Sequence, residues 1–90
     1  MAWRIEFTPA AEKALTELGI DTQKRIVGFM RERVANIDDP RRFGKGLSSS
    51  LAGLWHYRIG DYRVIVDIQD DKIVVLVLSV GHRSNVYGGH

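Results

Sequence analysis

Apolar and polar residues alternate at the N-terminus and then change to helical spacing. Three apolar residues alternate with Arg4 and Glu6, which predicts a half-buried first strand over residues 2–7. Thr8 is a candidate N-cap, with Pro9 at the first helical position. The apolar positions of the helix that follows, and the glycine expected to end it, are Ala11, Ala14, Leu15, Leu18 and Gly19.

A second helix is predicted up to Pro40, with Asp21 or Thr22 as its N-cap. Its apolar residues follow the i, i+3, i+4 pattern and are Ile26, Phe29, Met30, Val34 and Ile37. Its charged side fits either a solvated helix surface or a partner contact, and comprises Lys24, Arg25, Arg31, Glu32 and Arg33. The two helices are expected to form a helical hairpin.

The second half of the chain predicts strands. Residues 40–53 are rich in Gly and Ser and lack periodicity, which predicts a loop that is long for so small a domain. Two alternating runs flank Gly60 and Asp61, a pair typical of a tight hairpin turn. After an acidic turn at residues 69–71, an apolar run within residues 72–80 predicts an interior strand that is buried on both faces.

The predicted order of elements is strand, helix, helix, strand, strand, strand. It indicates an α+β domain in which an N-terminal strand and a helical hairpin precede a three-stranded antiparallel meander, with the helices packed on one mostly antiparallel sheet. The 90 residues fit a single domain over residues 1–90. Without cysteine, a disulfide framework and thiolate chemistry are excluded. Since no apolar stretch suits a signal peptide or a bilayer span, a cytoplasmic protein without a membrane partner is expected.

Basic residues gather around the predicted hairpin. Alternation places His56 and Arg58 on one face of the first strand and Tyr57 on the other. On the next strand it places Arg63 and Val64 on different faces. Arg58 and Arg63 lie across a two-residue turn, near enough to share one phosphate. The net charge of +2 is compatible with a polyanionic partner but does not require one. A solvated sheet face would explain the same pattern.

The specific motifs of this region follow the spacing aromatic-x-x-Arg, Gly-Asp-Tyr-Arg and Val-Gly-His-Arg-x-x-x-Tyr. They lie in the stretches GLWHYRIGDYRVIVDI and IVVLVLSVGHRSNVY. With them, nearly the whole chain resembles the RelE branch of the RelE/ParE toxin superfamily, the ribosome-dependent mRNA endonucleases of bacterial and archaeal toxin–antitoxin systems. The resemblance implies cleavage of mRNA in the ribosomal A site. A ribose 2′-hydroxyl attacks the adjacent phosphate, leaving a cyclic phosphate and a free 5′-hydroxyl without a metal or other cofactor.

The resemblance also assigns roles to individual residues. Arg63 and Arg83 match the phosphate-contacting arginines of the family. Arg58 matches a basic strand position implicated in catalysis, and Tyr87 matches a tyrosine that stacks on or orients the nucleotide. His56 departs from the Lys or Arg that is usual in the family. Its imidazole, with an ordinary pKa of about 6.5, either supplies a base near neutrality or weakens phosphate binding.

Further contacts with RNA or the ribosome are expected from Lys45, His82, Arg41 and Arg42. Residues 48–50 are serines, where the family loop is often more basic. The histidines at positions 56, 82 and 90 lack the spacing of metal ligands, so no metal site is expected.

The implied partners are a cognate, RelB-like antitoxin, the ribosome with its mRNA, and operator DNA only as a complex with the antitoxin. Two other classes compete with the nuclease. A ParE-like protein shares the fold but poisons DNA gyrase without cutting RNA, and an inactive module would bind the antitoxin as a corepressor. The joint presence of four assigned residues favours the nuclease, namely Arg58, Arg63, Arg83 and Tyr87.

Overall fold

The chain begins with a strand and a pair of helices and continues as a meander of strands. The computed structural model describes residues 2–82, and Arg83, Tyr87 and His90 lie outside the described residues. The elements are β1 (Arg4–Phe7), α1 (Pro9–Thr16), α2 (Ile20–Gly28) with a π-helical extension (Phe29–Val34), β2 (Gly44–Gly46), β3 (Trp55–Ile59), β4 (Tyr62–Gln69) and β5 (Val74–His82). Short 3-10 turns flank β2 at Pro40–Phe43 and Ser49–Leu51.

The strands form one sheet in the order β1-β5-β4-β3-β2. β1 runs parallel to β5, and the other neighbouring strands are antiparallel. The predicted α+β architecture is confirmed, as are the antiparallel meander and the interior position of β5. The helices pack on one side of the sheet, here called the inner face, and the opposite side is the outer face.

Strand β2 corrects the prediction of a loop without structure over residues 40–53. It pairs with β3 and places Lys45 opposite His56. Because glycines flank Lys45, the strand carries no alternating apolar signal that would have predicted it. Gly44 suits this close pairing, since a Cβ atom there would lie 2.8 Å from the backbone oxygen of His56.

The predicted start of α1 is confirmed, but the boundary between the helices differs from the prediction. The hydroxyl oxygen of Thr8 caps α1 by accepting a hydrogen bond at 3.1 Å from the amide three residues on. The helix ends at Thr16, before Gly19, because the next amides bond to carbonyls three residues back. Gly19 instead caps α2 with a φ of 88°, and its carbonyl accepts the first helical hydrogen bond. Asp21 and Thr22, the predicted caps, therefore lie inside α2.

The second helix ends earlier than its apolar pattern predicts. It widens into the π-helical extension Phe29–Val34, where the amide of Ala35 donates to the carbonyl of Met30 at 2.9 Å. Ile37 and Pro40 lie beyond the helix. The apolar spacing continued to Ile37 because that residue is half-buried, although it is not helical.

The core lies between the helices and the inner face. Its buried residues are Ala11, Leu15, Ile26, Met30, Val34, Tyr57, Ile59, Val64, Val66, Ile68, Val75, Val77 and Val80. In β5 the alternation changes phase, because Ile65 pairs with Ser79 while Val66 pairs with Val77, leaving Leu78 as an extra residue. This bulge keeps three valines of β5 on the inner face. The leucines of β5 are only half-buried, so its burial is less complete than predicted.

Gly60 is the first residue of the turn between β3 and β4 and has a φ of 61°. A Cβ atom there would lie 3.0 Å from Nη1 of Arg25. We predict that Gly60→Ala lowers the free energy of unfolding by about 1–2 kcal/mol, because an L-residue is strained at this φ.

The matched control is Gly28→Ala in α2, where a Cβ atom would meet its nearest neighbour at an ordinary 3.6 Å. This change should raise the free energy of unfolding by up to about 1 kcal/mol, because alanine favours helix. Urea unfolding curves measure both effects. A Gly60→Ala protein as stable as the wild type would show that the turn tolerates a side chain.

Candidate active site

Basic side chains cluster on the outer face near the β3–β4 turn. Lys45 pairs with His56, and Arg58 pairs with Arg63. Directly paired residues of an antiparallel sheet lie on the same face, while Tyr57, between His56 and Arg58, is buried on the inner face. The four residues Lys45, His56, Arg58 and Arg63 therefore share the outer face, and we call them the cationic face.

Arg58 and Arg63 oppose each other directly. Paired residues in such a ladder have Cβ atoms about 4.5–5.5 Å apart, and like charges at this spacing destabilise the pairing. A bound anion would offset this repulsion. Guanidinium groups can hold a phosphate with two parallel hydrogen bonds. Arg58 is exposed and Arg63 is half-buried, so Arg58 is the more accessible of the two.

His56 lies in the next row of the outer face. Burial lowers the pKa of its imidazole, and the positive charges of Arg63 and Lys45 lower that pKa further. The neutral imidazole is therefore the form present at neutral pH, and this form accepts a proton. The surrounding cations can bind a phosphate, and the neutral imidazole can take a proton from a hydroxyl next to that phosphate.

Arg41 and Arg42 are not brought to the cationic face. The Arg41 guanidinium donates to the two carboxylate oxygens of Asp70 at 3.1 and 2.6 Å and to Asp39 at 3.3 Å. It also lies 5.7 Å from the ring centroid of Trp55, at the other end of β3. The hydrogen bonds between Arg41 and Asp70 raise the pKa of the arginine and lower that of the carboxyl group. Arg41 thus ties the first 3-10 turn to the β4–β5 turn, and Arg42 is exposed beside it.

His82 is also separated from the cationic face. It pairs with Tyr62, and the two ring centroids are 5.8 Å apart in an edge-to-face arrangement. Tyr62 packs against the core, which places this pair on the inner side of the sheet. Gly81, rather than His82, is in line with Arg58 and Arg63.

The structure adds basic residues from α2, for which the sequence pattern left open either a solvated helix surface or a partner contact. A groove of about 550 Å³ lies between α2 with its extension and the β3–β4 turn, and we call it the α2 groove. Lys24, Arg25, Arg33 and Arg58 line it together with Glu32. The basic run in α2 was the available signal, but only the packing of the helix against the hairpin shows that these residues meet Arg58.

Three other expectations concern metals, serines and membranes. Within residues 2–82, no three His, Asp or Glu side chains come together as metal ligands. Over the same part of the chain, no helix has the length and apolar character needed to cross a membrane. The serines at residues 48–50 are exposed at the second 3-10 turn.

Comparison with known proteins covers nearly the whole chain. Residues 5–87 match the family described as ParE toxin of type II toxin-antitoxin system, parDE. Toxin RelG of Mycobacterium tuberculosis is 32% identical over 87 residues, which cover 97% of this chain and 98% of RelG. Toxin RelE of the same organism is 39% identical over 85 residues, which cover 94% of this chain and 86% of RelE.

A solved structure shows the same fold. The toxin–antitoxin complex RelBE2 from Mycobacterium tuberculosis contains a chain that is 30% identical and superposes with a TM-score of 0.85. The superposition covers 94% of this chain and 95% of the other. The similarity therefore extends over nearly the whole chain.

Proposed function

The chain belongs to the RelE family of toxins of type II toxin–antitoxin systems, and we propose that it inhibits translation by cleaving messenger RNA in the ribosomal A site. In this proposal it is a metal-independent endoribonuclease. The observation that carries the proposal is the cationic face. There Arg58 is paired with Arg63, and His56, whose pKa is lowered, lies in the next row. These groups would provide a phosphate clamp and a proton acceptor, which attack by a 2′-hydroxyl requires.

The proposed reaction is an internal transesterification. The ribose 2′-oxygen attacks the adjacent phosphorus and forms a cyclic phosphate, while the bond from phosphorus to the 5′-oxygen breaks. His56 accepts the proton of the 2′-hydroxyl, and the departing 5′-oxygen takes up a proton from water and leaves as a hydroxyl. Arg58 and Arg63 neutralise the charge that builds on the non-bridging oxygens.

Several roles in the proposal come from the family. Arg83 is assigned to phosphate contact and Tyr87 to stacking on or orienting the nucleotide, and both lie outside the described residues. Stacking on a tyrosine would contribute about 1–3 kcal/mol. Lys45, opposite His56, is proposed as an RNA contact. Because so small a basic surface cannot by itself orient a flexible RNA, the ribosome supplies the remaining contacts.

The proposed protein partner is a RelB-like antitoxin. The similar chain from Mycobacterium tuberculosis was crystallised in a toxin–antitoxin complex. A segment that folds on the toxin could cover its basic surfaces, as disordered segments do when they bind. In this proposal operator DNA is bound only by the toxin–antitoxin complex.

A second candidate is a ParE-like inhibitor of DNA gyrase. It is favoured by one observation, since the matching family is described as ParE toxin. A gyrase inhibitor would not require Arg58 opposite Arg63 beside a neutral imidazole. The cationic face therefore supports the nuclease over this candidate.

Expression of the chain alone should arrest growth through loss of translation. Primer extension should then detect new message ends only on translated messages, because the ribosome completes the site. The control is the same message without its start codon, which should stay intact. Equal cleavage of both messages would contradict ribosome dependence. Intact message with gyrase stalled on DNA would support the second candidate, and no effect on either would indicate an inactive, antitoxin-binding module.

The lowered pKa of His56 leads to a pH prediction. Since the neutral imidazole accepts the proton, the single-turnover cleavage rate should rise with pH through a pKa below about 6.5 and then level off. His56→Gln should remove this rise and lower the plateau rate by about 10²–10⁴-fold. His56→Lys should move the rise to higher pH, because an amine loses its proton at higher pH.

The matched control for this profile is Lys72→Gln, which removes an exposed charge on the β4–β5 turn. Its profile should be that of the wild type. A flat wild-type profile from about pH 5.5 to 8, together with a fully active His56→Gln protein, would exclude His56 as the base.

A further inference from the structure

We infer that the message strand leaves the cationic face around the free edge of β3 and continues, held by its phosphates, into the α2 groove. This inference rests on the proposed function and adds a second RNA-binding surface to it. The basic residues of this surface are Lys24, Arg25 and Arg33 of the second helix together with Arg58, which outnumber Glu32 in the same lining. Arg58 is common to both surfaces.

The first observation is the short length of β2. It pairs with β3 only at residues 55–57, so Arg58 and Ile59 have no strand beside them on that edge among the described residues. Arg58 pairs with Arg63 on the outer face and also lines the α2 groove. A strand that crosses this edge would therefore keep a cationic contact on the way from one surface to the other.

The second observation is the polarity of the outer face. Beyond the row of His56, Asp67 pairs with Leu76, which in turn pairs with Glu6. Glu6 forms an ion pair with Arg4 at 2.8 Å. On the β4–β5 turn Asp70 is paired with Arg41, and Lys72 offsets Asp71. The remaining negative charge at this end comes from Asp67. A phosphodiester strand is therefore attracted towards the β3–β4 turn, where the charges of Arg58 and Arg63 outweigh that of Asp61.

The third observation is the close approach of α2 to the turn. A Cβ atom on Gly60 would lie 3.0 to 3.2 Å from three atoms of the Arg25 guanidinium. The glycine therefore makes room for a positive charge beside Arg58. Lys24 lies in α2, and Arg33 lies about two turns further along, in the π-helical extension. The basic residues therefore extend over more than the width of one phosphate group, so the groove can contact more than one phosphate of a strand.

An acidic segment of the antitoxin is the other occupant that these charges would attract. Such segments usually fold as amphipathic helices and need an apolar groove. The apolar side chains that line the α2 groove are Phe29, which is half-buried, and Ile59, which is only 6% exposed. The accessible lining of the groove is more polar than apolar and carries four cations, so the groove fits an RNA backbone better than an amphipathic peptide.

The test compares two double variants with equal loss of charge. Lys24→Gln with Arg33→Gln removes two exposed charges from the α2 groove, and Lys13→Gln with Lys72→Gln removes two exposed charges elsewhere. For cleavage on programmed ribosomes, we expect the groove pair to raise the half-saturating toxin concentration about tenfold or more near physiological salt. It should also reduce the slope of log affinity against log salt by about 1.4, as expected for two lost single-strand phosphate contacts. The control pair should change neither quantity.

The length of the message identifies the strand in the groove. On a message extended by about ten nucleotides beyond the A site, only the groove pair should be impaired. On a message that ends at the A-site codon, both pairs should behave alike, because no strand is left to enter the groove. A groove-pair defect of equal size on both messages would mean that ribosomal RNA fills the groove, and this would overturn the inference.

Two further outcomes would also overturn it. One is an equal half-saturating concentration of the groove pair and the control pair on the extended message. The other is normal cleavage by the groove pair combined with escape from inhibition by the antitoxin, which would assign the groove to an acidic antitoxin segment. If the wild-type protein did not cleave at all, the proposed function would fail instead. The inference would then be decided by the salt dependence of ribosome binding, measured for the same two pairs of variants.

Discussion

The two-residue turn at Gly60 and Asp61 is the constraint on which the candidate site depends. It sets the register of β3 against β4 and so brings Arg58 opposite Arg63. A slip of one residue would move every side chain to the other face, burying arginines and exposing Tyr57. Full burial of one apolar or aromatic side chain contributes about 1.5–3 kcal/mol. The core therefore enforces the repulsive arrangement of charges on the outer face.

Tyr57 connects that core to the site. It lies between His56 and Arg58, is fully buried, and donates its hydroxyl hydrogen to the carbonyl of Pro40 at 2.7 Å. Burial raises the pKa of the phenol, so the hydroxyl stays a neutral donor. With its ring centroid 6.0 Å from that of Phe29, the side chain is fixed on several sides. The backbone that carries the two basic neighbours is thereby held in place, which is the preorganisation that a phosphate clamp needs.

The sequence predicted the two faces of the hairpin but not what packs beside them. Period-two alternation and the turn residues are local, so the shared face of His56 and Arg58 could be predicted. Strand β2 was missed because it depends on pairing of the glycine-flanked Lys45 with β3 rather than on its own side chains. The α2 groove was missed because the contact of Arg25 with Gly60 comes from packing of helix against turn. Likewise, the sheet face on which each residue at the end of β5 lies depends on the bulge at Leu78, and no residue type in the sequence indicates that bulge.

We propose that Arg58 and Arg63 hold one phosphate together. A double-mutant cycle on the saturated single-turnover cleavage rate tests it, using Arg58→Gln, Arg63→Gln and the double variant, each checked for an unchanged unfolding transition. Each single change should lower the rate by about 10²–10³-fold, as loss of one transition-state donor does. The double variant should be little slower than the slower single variant, because the two groups act as a unit. A double variant whose loss equals the product of the two single losses, or a single variant with the wild-type rate, would contradict the claim.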